Sequence, residues 1–138
     1  MAKFGLEAAL SDLKDSIEHS NKIAIEIDFH EMPEKLPGAM EIDLYRIVQE
    51  LISNSIKHGQ ARKIWIQFLL DGDLIRFMYE EDGNGFDIRN KAGGIGLRNI
   101  HARSQKYAAE VSIDSTPGNG MRAMIELNIN ADEKVAAG

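Results

Sequence analysis

The segment 41–58, EIDLYRIVQELISNSIKH, constrains the fold more than any other part of the chain. At about 100° per residue, Leu44, Val48, Leu51, Ile52 and Ser55 fall on one side of a helix. Arg46, Gln49 and Ser53 fall on the opposite, solvent side. Such a helix needs an apolar layer to lie on. Glu50, Asn54, Lys57 and His58 form a third stripe along the border, at spacings that stack on a helix surface. A carboxylate, an amide, an ammonium and an imidazole on one anchored edge suit a magnesium-bound polyphosphate. The oxygens would serve the metal and the cation the phosphates. Taken alone, this helix is better read as a solvated face with ordinary i,i+4 pairs.

The apolar layer comes from alternation elsewhere. In residues 22–29, Ile23, Ile25, Ile27 and Phe29 alternate with Ala24, Glu26 and Asp28, the pattern of a strand with one buried face. Residues 63–70, KIWIQFLL, and 74–80, LIRFMYE, flank Asp71-Gly72-Asp73 and predict a hairpin. Residues 110–115 and 121–130 predict two more strands around the turn at 116–120, with Met121, Ala123, Ile125, Leu127 and Ile129 on one face. Leu6, Leu10, Leu13 and Ile17 predict an amphipathic helix over 4–19. Gly59 is the expected stop of the helix at 41–58, and a third helix is expected from about 95–97 to 108. The expected architecture is therefore an α/β two-layer sandwich. About three helices cover one face of a mixed, mostly antiparallel sheet of about five strands. Glu26, Asp28, Gln67, Arg76, Arg122 and Glu126 mark its solvated face, and Trp65 alternates onto that more exposed side.

Composition narrows the function. The length of 138 residues suits one domain, and 43% apolar content allows a real core. The absence of cysteine excludes disulfides, zinc–thiolate sites and a cysteine nucleophile. No run of about 18 apolar residues occurs, so no membrane insertion by this segment is expected. The net charge of −6 argues against nucleic acid as a partner.

Two glycine-rich segments come after the first hairpin. In Asp82-Gly83-Asn84-Gly85-Phe86 the glycines allow close backbone approach to a ligand, and Asp82 could accept a hydrogen bond from an exocyclic amine such as that of adenine. In Gly93-Gly94-Ile95-Gly96-Leu97 the glycines precede the third helix, where free N–H groups favour phosphate. Each segment alone also fits a plain turn or connector. A P-loop is excluded, because GxxxxGK[ST] does not occur, and GxGxxG fails at Ile88 and at Asn99.

The order of the pieces is specific: a helix with E-x-x-x-N-x-x-K-H, a hairpin, D-x-G-x-G-F, a loop, then G-x-G-L. This order resembles the ATP-binding domain (Bergerat-type fold) shared by sensor histidine kinases, type II topoisomerases, ninety-kilodalton heat-shock chaperones and mismatch-repair ATPases. The likeness is strongest to the catalytic domain of two-component sensor histidine kinases. LYRIVQELISNSIKHGQA looks like the N box of the subfamily whose response regulators often carry helix-turn-helix output domains. The resemblance covers roughly residues 40–130. Residues 4–15 are similar to the segment that follows the dimerisation helices there.

The resemblance implies Mg-ATP as the bound cofactor. Asn54 matches the asparagine that ligates magnesium, and Lys57 and His58 match the pair beside the phosphates. Glu50 matches an acidic position that orients water or the metal. Asp82 matches the reader of the adenine amine. Gly83 and Gly85 match the first glycine box; Gly94 and Gly96, followed by Leu97, match the second, which ends the lid over ATP. Glu50 and Lys57 are thus the candidate catalytic residues. The domain organisation implied is a helix at 1–20 following a missing dimerisation hairpin, an ATP-binding catalytic domain at 21–130 and a loose tail at 131–138. The partners implied are that dimerisation and phosphoacceptor domain and, downstream, a response regulator. A cytoplasmic location is implied, in a parent that can be membrane-anchored.

Two departures stand out. The family usually places threonine after the final G-x-G, where this chain has Met121, and a thioether cannot donate that hydrogen bond. None of His19, His30, His58 and His101 resembles the phosphoacceptor, so autophosphorylation of this segment alone is not expected. An anti-sigma-factor serine kinase and a degenerate interaction module without nucleotide are the alternatives.

Overall fold

A computed structural model describes residues 5–32, 36–84, 110–115 and 118–129, apart from the side chains of residues 58 and 59. Helix α1 (Leu6–Ser20) leads into strand β1 (Ala24–His30), and helix α2 (Gly38–Asn54) runs on into a π-helical turn (Ser55–Gly59). Strands β2 (Lys63–Asp71), β3 (Leu74–Glu81), β4 (Glu110–Ser115) and β5 (Met121–Asn128) come after it. The five strands form one sheet in the order β1-β2-β3-β5-β4. β1 pairs parallel to β2, and every other pair is antiparallel. A parallel pair needs a crossover, and α2 supplies it. The α/β sandwich with a mixed, mostly antiparallel sheet is therefore as expected. The described residues hold two α-helices; the third helix expected, and the tail at 131–138, lie outside them.

The alternation seen in the sequence sets the faces. Ile64, Ile66 and Phe68 of β2, Ile75, Phe77 and Tyr79 of β3, and Ala123, Ile125 and Leu127 of β5 are fully buried. Onto this layer α2 lays Met40, Leu44, Ile47, Val48, Leu51 and Ile52. Leu6 and Leu10 of α1 belong to the same core, so α1 packs as part of this domain rather than beside it. Glu18 fastens its far end: Oε2 accepts from the Ile25 N–H at 2.9 Å and Oε1 from Lys14 Nζ at 3.0 Å. These donors hold the Glu18 carboxyl below the usual range.

The other face of the sheet carries cross-strand charge ladders. Arg122 pairs with Glu80 at 3.1 Å, Arg76 with Glu126 at 3.6 Å, and Lys63 with Glu26 at 3.9 Å. Trp65 is half-buried there, with Lys63 Nζ 5.2 Å from its ring centre.

α2 starts without a side-chain N-cap. Instead Glu41, buried within the first turns, reaches back so that its Oε1 accepts from the Leu36 N–H at 3.0 Å. A buried polar group needs such a partner. The helix ends differently from the expectation of one regular helix to residue 58. It is α-helical to Asn54 and π-helical from Ser55 to Gly59. The left-handed residue that closes it is Gln60, at φ 50° and ψ 41°, one position beyond the expected glycine stop.

Candidate functional site

The end of α2, the end of β3 and the β4–β5 turn converge at one edge of the sheet. Asp82 follows β3 directly. Its Oδ1 accepts from the backbone N–H groups of Arg62 and Lys63, each at 2.9 Å, and its own N–H donates to the Lys63 carbonyl at 3.2 Å. Partial burial pushes its carboxyl up, but those backbone N–H groups, its own N–H and the Arg62 charge outweigh this and leave the pKa lowered. The Arg62 and Lys63 N–H groups both fall on Oδ1, so neither of them occupies Oδ2. An ionised, fixed carboxylate is a good acceptor for an amine N–H.

Two residues on, Asn84 ties the loop to both neighbours. Its side-chain amide donates to Gln60 Oε1 at 3.4 Å, and its carbonyl accepts from the Gly118 N–H at 2.5 Å. Gly83 lies between them, at the start of the loop. Gly120 has φ +72°, and a Cβ there would run into the Glu81 carbonyl oxygen. Only glycine lets β5 begin so close to the end of β3. Met121 pairs with Glu81 across the two strands and is buried.

Asn54 is the last residue of α2, and Lys57 and His58 lie in the π-helical turn. Neither the Asn54 amide nor the exposed Lys57 ammonium bonds another described residue, so both are open to a ligand. Glu50 and Lys57 line a cleft of about 430 Å³ between α1 and α2, with Leu13, Ile17, Arg46 and Ile56. Asn54 and Asp82 do not line it. Glu50 and Asn54 keep regular α-helical spacing within α2, while Lys57 and His58 lie in the wider π-helical turn. Gly85, Gly94, Gly96 and Leu97 lie outside the described residues.

Magnesium takes oxygen ligands and is usually held by one or two protein oxygens together with phosphate. The Asn54 amide oxygen fits that role. Among the described residues no three His, Asp or Glu side chains cluster to hold a metal alone. A magnesium ion held through Asn54 would keep positions for phosphate oxygens or water.

Three buried polar residues escape the sequence reading, which gives Ser55 a place on the apolar face but no role, treats Tyr79 only as a strand residue and ends that strand at Glu80, one residue before Glu81. Ser55 Oγ and Tyr79 OH lie 2.5 Å apart, and both reach the Leu51 carbonyl. Burial raises the Tyr79 hydroxyl far above its usual range. Burial also raises the Glu81 carboxyl; the Ser55 hydroxyl opposes this, while the Asp82 charge adds to it. The signal is present in the sequence. The alternation Ile75, Phe77, Tyr79, Glu81 turns two polar side chains inward, at the end of the strand nearest Asp82.

This edge, with an amide and a cation at the end of one helix and a fixed aspartate and glycine turns on the neighbouring strands, has the makings of an ATP site of the kind the sequence suggests. Residues 39–131 match the family of histidine kinase-, DNA gyrase B- and HSP90-like ATPases, and the chain belongs to it. Within that family the segment is sensor histidine kinase-like. It is 30% identical over 128 residues to sensor histidine kinase ComP of Bacillus subtilis (strain 168), covering 91% of this chain and 17% of ComP. It is 28% identical over 119 residues to sensor protein VraS of Staphylococcus aureus (strain COL), covering 85% of this chain and 34% of VraS. The chain thus spans about a third or less of these curated relatives. Its fold is similar to that of the histidine kinase domain of the blue-light activated histidine kinase from Erythrobacter litoralis EL346. The TM-score is 0.74 at 20% identity, over 96% of this chain and 65% of that one. Acinetobacter baumannii histidine kinase AdeS gives 0.72 at 17% identity, over 92% and 66%. No described helix is long and apolar enough to cross a membrane.

Proposed function

We propose that this chain is the Mg-ATP-binding catalytic domain of a sensor histidine kinase. It donates the γ-phosphoryl of ATP to a histidine on a separate dimerisation domain. In this reading Oδ2 of Asp82 accepts the adenine amine, and Asn54 supplies an oxygen to magnesium. Lys57 and His58 lie beside the phosphates, and Glu50 orients water or the metal. Gly83 and Gly85 admit the nucleotide to the backbone; Gly94, Gly96 and Leu97 close the lid. The histidine nitrogen attacks the γ-phosphorus and the bond to the β–γ bridging oxygen breaks, giving phosphohistidine and ADP. Positioning and charge neutralisation carry most of such a transfer. A response regulator then takes the phosphoryl group. Residues 1–20 would connect to the dimerisation helices, and the domain would work in the cytoplasm.

The observation that carries this reading is the Asp82 carboxylate. It is pinned through one oxygen to β2 and held ionised, at the same edge as the α2 end. Calorimetry with Mg-ATP tests it. The chain is expected to bind in the micromolar range, and Asp82→Asn to lose roughly tenfold to a hundredfold, the worth of a hydrogen bond to a charged group. Absence of binding at millimolar Mg-ATP would sink the reading.

One observation favours a second reading, a nucleotide-free interaction module: the buried Met121 offers no hydroxyl at the base of the site. Under it, Asn54→Ala would leave signalling intact.

A further inference from the structure

The polar cluster beneath the site does more than fill the core. Tyr79 is 0% exposed and Ser55 is 2% exposed. Their hydroxyls meet at 2.5 Å, and each also reaches the Leu51 carbonyl, at 3.1 Å from Ser55 and 3.2 Å from Tyr79. The Ser55 N–H is shared between the Leu51 and Ile52 carbonyls. A helix carbonyl ordinarily serves one amide four residues on; here two side-chain hydroxyls crowd it. Hydroxyls inserted into the helix ladder bend or widen it.

Ser55 also closes the next turn. Its carbonyl accepts the Gln60 N–H, five residues on, and the Ala61 N–H at 3.4 Å. The residue tied by its hydroxyl to β3 is therefore the residue on which the π-helical turn is built. Each residue added to a turn rotates the side chains beyond it by about 100°. Lys57 lies inside this turn, so its direction depends on whether the turn is wide or regular. Single π-helical turns often occur at functional sites.

We propose that Tyr79 and Ser55 are positioning residues. Their buried hydroxyl pair fastens the π-helical turn to β3 and so sets where Lys57 presents its ammonium to a phosphate. The inference rests on the Mg-ATP reading, and the test separates the two. Tyr79→Phe removes one oxygen and leaves the Ser55 hydroxyl its Leu51 acceptor, so no buried group is orphaned. Ser55→Ala is the second variant, and thermal unfolding reports that each is folded.

Hydrogen exchange by NMR on the ligand-free chain reads the turn directly. The Gln60 amide is expected to lose about tenfold in protection in either variant, while the β2–β3 amides keep theirs. Titration then compares Mg-ATP with adenosine, which has no phosphate. Mg-ATP affinity is expected to fall about tenfold while adenosine affinity stays unchanged, because Asp82 is untouched. Unchanged Gln60 protection, unchanged Mg-ATP affinity, or an equal loss for both ligands overturns the positioning role while leaving the nucleotide site standing. A wild-type chain that binds neither ligand overturns the nucleotide reading first, and the positioning role with it.

Discussion

Glu81 and Asp82 are neighbours in sequence with opposite electrostatics. Glu81 faces the core beside Ser55 and Met121, and burial raises its carboxyl above the ordinary value of 4.5. Asp82 faces out and is lowered from 3.8, because backbone N–H groups outweigh its partial burial. The consequences for stability differ in sign. The native chain keeps the Glu81 proton above pH 4.5, where the unfolded chain gives it up. Stability therefore falls as pH rises from 4.5 through the folded pKa, and stays reduced beyond it. Asp82 adds stability above pH 3.8, and that contribution is lost as pH falls through its lower folded value. Glu81→Gln is accordingly expected to be more stable than wild type at neutral pH, and the gap is expected to close as the solution is acidified below 4.5. Urea titrations at a series of pH values check this; a gap that widens in acid would contradict it. At this scale the sequence singles out Asp82 only through the combined motif order, since an aspartate before glycines also fits a plain turn. Glu81 is harder to pick out, although the inward alternation of β3 carries it.

The elements are legible where the period is uniform. α2 and the strands appear as their apolar spacing requires, and the parallel β1–β2 pairing comes from the crossover through α2. The spacing from Glu50 to Asn54 lies within α2, but the spacings of seven and eight residues on to Lys57 and His58 run into the π-helical turn, where a constant pitch no longer holds. The Tyr79 hydroxyl of β3 bonds the Leu51 carbonyl just ahead of this turn, a contact that no local pattern in α2 records. The β4–β5 turn makes a sharper statement. At Gly120 a side chain would meet backbone, with φ +72°; at Gly72, with φ +62°, a side chain would meet open space. Gly72→Ala thus incurs backbone strain alone, on the order of 1 kcal/mol. Gly120→Ala adds a clash with the Glu81 carbonyl and is expected to cost roughly 3 kcal/mol or more. Paired urea melts of the two variants measure the difference. Equal losses would mean that β5 does not need its close approach to β3.

On the scale of the whole molecule, the proposed nucleotide site draws on the ends of α2 and β3 and the β4–β5 turn, while the proposed phosphoacceptor belongs to a separate domain. His19 and His30 sit exposed at the ends of α1 and β1. The sequence puts both near element ends, outside the E-x-x-x-N-x-x-K-H pattern that holds His58. How a second domain would be met is beyond its reach, since that depends on surfaces brought together only by folding. Phosphoryl transfer demands in-line approach of the acceptor to the γ-phosphorus, so a domain without a phosphoacceptor can bind ATP and still do no chemistry. The prediction is that this chain, incubated with Mg-ATP labelled at the γ-phosphate, incorporates no label by itself. Adding a dimerisation hairpin from a sensor histidine kinase of the same type, joined ahead of α1, should yield label on its histidine that is stable in base and lost in acid. Asn54→Ala in the fused protein should lower that incorporation by at least about tenfold, since the metal loses a ligand and the phosphate its anchor. Label stable to acid on the isolated chain would instead indicate transfer to a hydroxyl, and would favour a serine kinase over a histidine kinase.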